Sequence, residues 1–95
     1  MIESRKKLKA TLTETMCSAE LAWEGGVGVF EADGDFGGGT VALQRSLDGG
    51  ASWTAVGEHT TLTAAGGGRF AASNAAILRL SAEAVGAVVV VVCKL

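Results

Sequence analysis

The sequence predicts an all-β domain, a small antiparallel β-sandwich of jelly-roll-like form with a basic N-terminal arm. Two observations lead to this fold class. Glycine clusters begin at positions 25, 37, 49 and 66 of the 95-residue chain, a spacing typical of turns between short strands. The segments between these clusters alternate apolar and polar residues, as half-buried strands do. We therefore assign residues 1–16 to the arm and residues 17–95 to the sandwich.

The alternation predicts the strands in chain order. CSAELAWE at 17–24, VGVFEA at 27–32 and TVALQRS at 40–46 come first, followed by the shorter WTAVG, TTLTA, RFAAS and AILRLS. The last strand, AVVVVVCK at 87–94, has no polar face, so we expect both sides to be covered and the strand to lie centrally in its sheet. ESRKKLKATLTETM at 3–16 breaks the pattern, and we interpret it as an arm that orders on contact with a partner.

The stretch SLDGGASW fits the Ser-x-Asp-x-Gly-x-x-Trp pattern, the Asp box that recurs in the propellers of sialidases and related glycan-binding proteins. A propeller needs at least about four blades of four strands each, which 95 residues cannot supply. A hairpin corner explains the stretch instead, because Asp accepts backbone hydrogen bonds, Gly adopts positive φ and Trp covers the turn. We assign to this structural turn Ser46, Asp48, Gly49, Gly50 and Trp53.

No catalytic arrangement is recognisable in the sequence, and we predict a protein that is not an enzyme and holds no cofactor or metal. The one histidine, His59, has no nucleophile motif beside it. GGGT at 37–40 lacks the Lys of a phosphate loop, and GGVG at 25–28 lacks the spacing of a dinucleotide fingerprint. EADGDFG at 31–37 begins like a calcium loop, but its twelfth position is Ala42. We interpret it as a solvated acidic turn, with a weak calcium site as the alternative.

Charge is unevenly distributed. Four of the eight basic residues lie at Arg5, Lys6, Lys7 and Lys9, whereas the whole chain carries a net charge of −2. Such an arm can bind an acidic protein surface or nucleic acid, and the alternative is a solvated tail. The strands lack the aromatic residues interleaved with basic ones that nucleic-acid-binding sheets use. We therefore expect no nucleic acid partner.

The sequence predicts no membrane-spanning segment, no signal peptide and no disulfide. No apolar run approaches the ~20 residues that a bilayer requires, and no stretch resembles the apolar core of a signal peptide. We expect no membrane partner. Cys17 and Cys93 both fall in predicted strands, so we interpret them as small buried side chains in a reducing compartment.

The order of the motifs resembles a family of small proteins found in tailed-phage structural gene regions and prophages. The pattern runs Trp-x-Gly-Gly, an aromatic strand, Phe-Gly-Gly-x-Thr-Val-x-Leu-Gln, an Asp-Gly turn, Trp-x-x-Val-Gly and Thr-Leu-Thr-Ala. It covers about residues 19–93. Glu24 departs from it, since family members often have Pro there, and the basic arm lies outside it. The matching residues are Trp23, Gly25, Gly26, Phe30, Phe36, Gly37, Gly38, Thr40, Val41, Leu43, Gln44, Asp48, Gly49, Trp53, Val56 and Gly57.

The resemblance implies a non-catalytic virion protein, assembled in the host cytoplasm, that decorates and cements the capsid. Its partner would be the major capsid protein, bound across subunit boundaries, and we expect a homo-oligomer, with a trimer favoured. The alternatives are a tail or fibre module that binds glycans or proteins, and a nucleic-acid-binding protein that acts through residues 5–9. For contact with the capsid we select Ile2, Arg5, Lys6, Lys7, Leu8 and Lys9.

Overall fold

A computed structural model describes residues 7–57 and 60–95, and the predicted all-β antiparallel class is confirmed. The eight strands form one hydrogen-bonded sheet, so a division into the two sheets of a sandwich or jelly roll stays a prediction. The strands are β1 (Lys7–Cys17), β2 (Leu21–Ala22), β3 (Gly26–Asp35), β4 (Thr40–Ser46), β5 (Thr54–Ala55), β6 (Thr61–Leu62), β7 (Gly66–Ala72) and β8 (Ile77–Lys94).

The sheet is built around β8. One edge of β8 pairs with β1 and β2, and the other edge pairs with β3 and β4, all antiparallel. β7 adds to the outer edge of β3, while β5 and β6 add to the outer edge of β4. The expectation that the valine-rich strand is central is confirmed. The expectation that AILRLS and AVVVVVCK are separate strands is wrong, because both belong to β8.

β8 bends near its middle. A straight strand of 18 residues would extend about 60 Å, but the longest dimension of the described molecule is 37 Å. Ala84 has a φ of 57°, and Glu14 on the neighbouring β1 has a φ of 54° at a shift in strand register. These irregularities are β-bulges, which bend a strand and increase its twist. Gly39 of the β3–β4 turn contacts the backbone of Glu83 and Ala84, so glycine is needed where the turn meets the bend.

Trp23 contacts residues that are far apart in the sequence. Its backbone N–H donates to the carbonyl oxygen of Ala76, just before β8, at 3.0 Å. Its ring centroid lies 5.1 Å from that of Phe70 in β7. Nζ of Lys94, at the far end of β8, lies 5.3 Å from the same ring. Residues at both ends of β8 therefore contact Trp23, through its backbone at one end and its ring at the other, and both halves of β8 contribute to one core.

Buried and exposed side chains alternate along the strands, as the pleat of a sheet requires. Leu12 on β1 is fully buried although it was assigned to the arm. The boundary at residue 16 is therefore wrong, because inward Leu8, Ala10 and Leu12 alternate with exposed Lys and Thr as a half-buried strand does. The buried apolar side chains are Leu12, Trp23, Phe30, Ala32, Phe36, Val41, Leu43, Phe70, Ala76, Leu78, Leu80, Ala82, Val85, Val88, Val90 and Val92.

Only one face of the valine-rich half of β8 is covered. Val88, Val90 and Val92 are buried, whereas Val89 is 41% exposed and Val91 is half-buried. The expectation that both sides are covered is wrong. Neighbouring strands protect the edges of β8, but no described segment packs on its outer face.

Two further predicted segments are reassigned. CSAELAWE is not one strand, because β1 ends at Cys17 and Ser18 bonds to both backbone groups of Leu80 before β2 begins. The acidic stretch EADGDFG is not a turn, because β3 continues to Asp35 and the turn occupies residues 36–39. The side chain of Asp35 caps that turn by accepting a hydrogen bond from the Gly37 N–H at 3.0 Å.

Candidate functional site

The Asp-box stretch forms a hydrogen-bonded corner after β4. Ser46, almost fully buried, donates through Oγ to Oδ1 of Asp48 at 2.7 Å and accepts the N–H of Gly50 at 2.8 Å. Asp48 also accepts the backbone N–H of Ser52 at 2.9 Å and its hydroxyl at 2.6 Å. Gly49 and Gly50 have φ of 75° and 102°, the left-handed conformation that favours glycine. Ser46, Asp48, Gly50 and Ser52 thus hydrogen-bond to one another, which is the arrangement of a structural turn.

These hydrogen bonds lower the pKa of the Asp48 carboxyl. Donation from Ser52, and then from Ser46, holds the pKa of the Asp48 carboxyl well below its ordinary value of 3.8. Hydrogen bonds to a carboxylate favour its charged form. The carboxylate is therefore a fixed acceptor of the turn and is poorly suited to act as an acid near neutral pH.

Trp53 is half-buried rather than part of the core. Its Nε1 donates to the carbonyl oxygen of Gly50 at 3.1 Å, and the guanidinium carbon of Arg79 lies 4.1 Å from its ring centroid. Arg79 is fixed in turn by Gln44, whose Oε1 accepts from Nε at 2.8 Å. One face of the Trp53 ring is therefore covered by the guanidinium, and Trp23 is only 2% exposed. The expectation that Trp53 covers the turn is confirmed, and Arg79 in turn covers its ring.

The six residues selected for capsid contact separate into two groups. Ile2, Arg5 and Lys6 lie outside the described residues, as does His59. Lys7, Leu8 and Lys9 begin β1, where the side chain of Leu8 packs against the core while both lysines are exposed. Leu8 therefore holds β1 in the sheet and is not a free apolar anchor.

Residues with metal-binding or redox chemistry do not assemble. Within 7–57 and 60–95, no three His, Cys, Asp or Glu side chains come close enough to hold a metal ion. Cys17 is exposed and Cys93 is half-buried, so the expectation that both are buried is wrong. Cys93 pairs with Lys7, at the opposite end of β1 from Cys17. A disulfide needs Cα atoms within about 7 Å, so these two thiols cannot pair within one chain.

The remaining candidate is the outer face of β1, β8, β3 and β7, which we call the valine face. Its centre consists of Val89 and Val91, and Gly66–Gly68 leave a shallow depression of about 1060 Å³ beside them. Lysines from β1 line one side of the valines and acidic residues from β3 line the other. The sequence signals are Lys-x-Lys in β1 and Glu-x-Asp in β3. The sequence alone predicts an arm at the first and a turn at the second, so it does not bring the two together. The face consists of Lys7, Lys9, Thr11, Val29, Glu31, Asp33, Gly67, Arg69, Val89, Val91 and Cys93.

Comparison with known proteins adds no relative: no family model, curated protein or solved structure matches this chain. The geometry of the described residues is therefore the basis for a functional assignment. Among these residues there is no helix of the length and apolar character that crossing a membrane takes.

Proposed function

We propose that this protein is a structural virion protein that decorates the capsid and stabilises the shell without catalysis. The sequence resemblance supports the proposal, and its motifs fall at defined places in the fold. TVALQRS is β4, the Asp-Gly turn is the corner that follows it, and the Phe-Gly-Gly turn contacts the bend of β8. The major capsid protein is the proposed partner.

The observation that carries the proposal is the open edge of β1. Among the described residues, β1 pairs only with β8, and its regular part, Lys7–Thr13, precedes the register shift at Glu14. The outer edge of such a strand presents unpaired backbone N–H and C=O groups, which accept an extended segment of another chain. Ile2, Arg5 and Lys6 immediately precede this edge in sequence. An open edge next to three basic or apolar residues suits attachment to a protein lattice.

The mechanism of stabilisation is mass action. A protein that binds across subunit boundaries binds the assembled shell and not the free subunits, so it shifts the equilibrium toward assembly. At a free concentration one hundred times its dissociation constant, each occupied site contributes about 2.7 kcal/mol. No chemical step is required, which agrees with the hydrogen-bonded, structural use of Ser46 and Asp48 at the corner.

Co-sedimentation with undecorated shells tests the proposal. We expect the full chain to pellet with shells, and the variant combining Arg5→Gln with Lys6→Gln to bind more weakly at low salt. Exposed charge pairs are screened beyond about 8–10 Å at physiological ionic strength, so added salt should weaken the parent more than this variant. Arg45→Gln, which removes a charge from β4 on the other edge of β8 from β1, is the matched control and should bind like the parent. No binding by the parent would overturn the proposal.

The copy number in purified particles separates the proposal from its alternative. Hundreds of copies per particle support decoration of the capsid, whereas a handful supports a tail or fibre module. A glycan-binding module also requires an exposed aromatic platform, and both tryptophans are engaged as described above. The described residues therefore give no support to the glycan-binding form of the alternative.

A further inference from the structure

The valine face carries charges of opposite sign on its two sides. Lys9 of β1 pairs in register with Val91 of β8, and Val91 pairs on its other side with Glu31 of β3. One residue pair further along, Val89 lies between Thr11 and Asp33. Partners in register point to the same side of a sheet. The face therefore has a basic side on β1 and an acidic side on β3, and one row across it, Lys9–Val91–Glu31, holds base, valine and acid in that order.

This order is self-complementary under one symmetry operation. A two-fold rotation about an axis parallel to β8, lying in the plane of contact, exchanges the β1 side of one copy with the β3 side of the other. Lys9 then faces Glu31 of a second copy, and Val91 faces its own equivalent. An axis perpendicular to the strands would instead place acidic β3 against acidic β3. Isologous two-fold contacts are the commonest form of protein self-association.

We propose that the valine face binds a second copy of this chain, related by a two-fold axis parallel to β8. Exposed valines at the centre provide apolar burial, and the two charged sides provide register and orientation. A two-fold pair replaces the trimer expected from the resemblance. The inference concerns the isolated protein and does not depend on binding to a capsid.

Other occupants fit the face less well. Nucleic acid would meet Glu31 and Asp33, which repel phosphate groups. An acidic peptide would be attracted to Lys7 and Lys9 but repelled by the β3 side. A matching partner must place acidic groups opposite the lysines of β1 and basic groups opposite the carboxylates of β3. A second copy of this chain, rotated about the two-fold axis, does so.

The size of the face sets the expected strength. Four strands about 4.8 Å apart and seven residues about 3.3 Å apart cover roughly 450 Å² in plan. Two such faces together cover about 900 Å² in plan, which is below the about 1,200–2,000 Å² buried in stable interfaces and in the range of weak, transient ones. We therefore expect a reversible dimer that forms at micromolar or higher concentration.

Sedimentation velocity of the full chain, from about 1 to about 500 µM, measures this association. We expect a monomer–dimer equilibrium. Lys9→Glu and Glu31→Lys should each raise the dissociation constant about tenfold or more, because each places two like-charge contacts in a homodimer. Mixed in equal amounts, the two variants should form a heterodimer as tight as the parent dimer, since both contacts then pair opposite charges.

The mixing experiment also separates this interface from others. A dimer formed through the open edge of β1 would leave Glu31 away from the partner, so Glu31→Lys would have no effect, and that result would overturn the inference. A parent chain that stays monomeric throughout the series, or forms a trimer, would overturn it as well. Glu83→Lys, on the other half of β8, is the matched control and should dimerise like the parent. Melting temperatures equal to that of the parent, measured at a concentration at which the parent is monomeric, show that the variants are folded.

Discussion

The two tryptophans have different structural roles. Trp23 is 2% exposed and contacts elements from both ends of β8, whereas Trp53 is half-buried and stacks with Arg79. We expect Trp23→Ala to lower the free energy of unfolding by about 3–5 kcal/mol. Trp53→Ala should cost less, about 1–2 kcal/mol, because less of its area is removed from water. Urea denaturation of both variants measures the difference, and a larger loss for Trp53→Ala would contradict this assignment.

Gly28 tests the packing around Trp23. A Cβ at position 28 would lie 2.6 Å from the ring of Phe70 and 2.7 Å from that of Trp23. We expect Gly28→Ala to destabilise the fold by about 1–3 kcal/mol, the usual cost of overpacking a core. Gly57 is the matched control, since a Cβ there would meet no atom within 4 Å. Thermal unfolding should show a lower melting temperature for Gly28→Ala and little change for Gly57→Ala.

Asp48 gives the corner a defined dependence on pH. Its pKa in the folded chain is depressed below the ordinary value of 3.8, so its contribution to stability is present above that value. The contribution is lost as the pH falls through the lower folded pKa. We expect the melting temperature of the parent to fall more steeply than that of Asp48→Asn on acidification from pH 4. Glu24→Gln, at an exposed position, is the control and should follow the parent.

At the residue scale, the sequence predicted the hydrogen-bonded turn of the corner but not the side chain that packs on Trp53. Asp, Gly and Ser at a turn have local preferences that operate within five residues, and the Asp48 and Gly49 roles were predicted for that reason. The partner of Trp53 could not be predicted, because Arg79 is brought to it by the long-range pairing of β4 with β8.

At the scale of elements, β1 requires a different truncation experiment from the one that an arm suggests. Deleting residues 1–6 leaves all described strands complete, so we expect an unchanged melting temperature. Deleting residues 1–9 also removes Lys7, Leu8 and Lys9, which pair with Val91, Val92 and Cys93. This longer deletion should lower the melting temperature. Equal melting temperatures for the two truncated forms would mean that the start of β1 adds no stability.

Strands were predicted correctly where a glycine-rich turn stands at each end. They were predicted wrongly where the chain bends within a strand. TVALQRS coincides with β4 because Gly clusters bound it on both sides. The sequence predicts two strands in place of β8 because the alternation of buried and exposed residues breaks between Glu83 and Ala87. Such a break predicts a loop, but a bulge allows the strand pairing to continue through it. β1 was missed because its Thr residues favour strands only in the context of a neighbour, and that neighbour is distant in sequence.

At the scale of the whole molecule, self-association should be measurable through stability. A dimer binds only folded chains, so its melting temperature rises with protein concentration. We expect this rise for the parent and a smaller one for Lys9→Glu. The readout is differential scanning calorimetry over a concentration series. A concentration-independent melting temperature for the parent would argue against the dimer.

The central position of β8 also governs the order of events during synthesis. Four earlier strands, β1 to β4, all pair with β8, so a nascent chain on the ribosome cannot complete its sheet until the residues of β8 have emerged. Loops that must close over such sequence separations slow folding. Until β8 emerges, β1 has no strand to pair with. The run of five valines is synthesised near the end of the chain, when the strands that pair with it are already present. Synthesising the hydrophobic run after its partners shortens the time for which it can associate with other nascent chains.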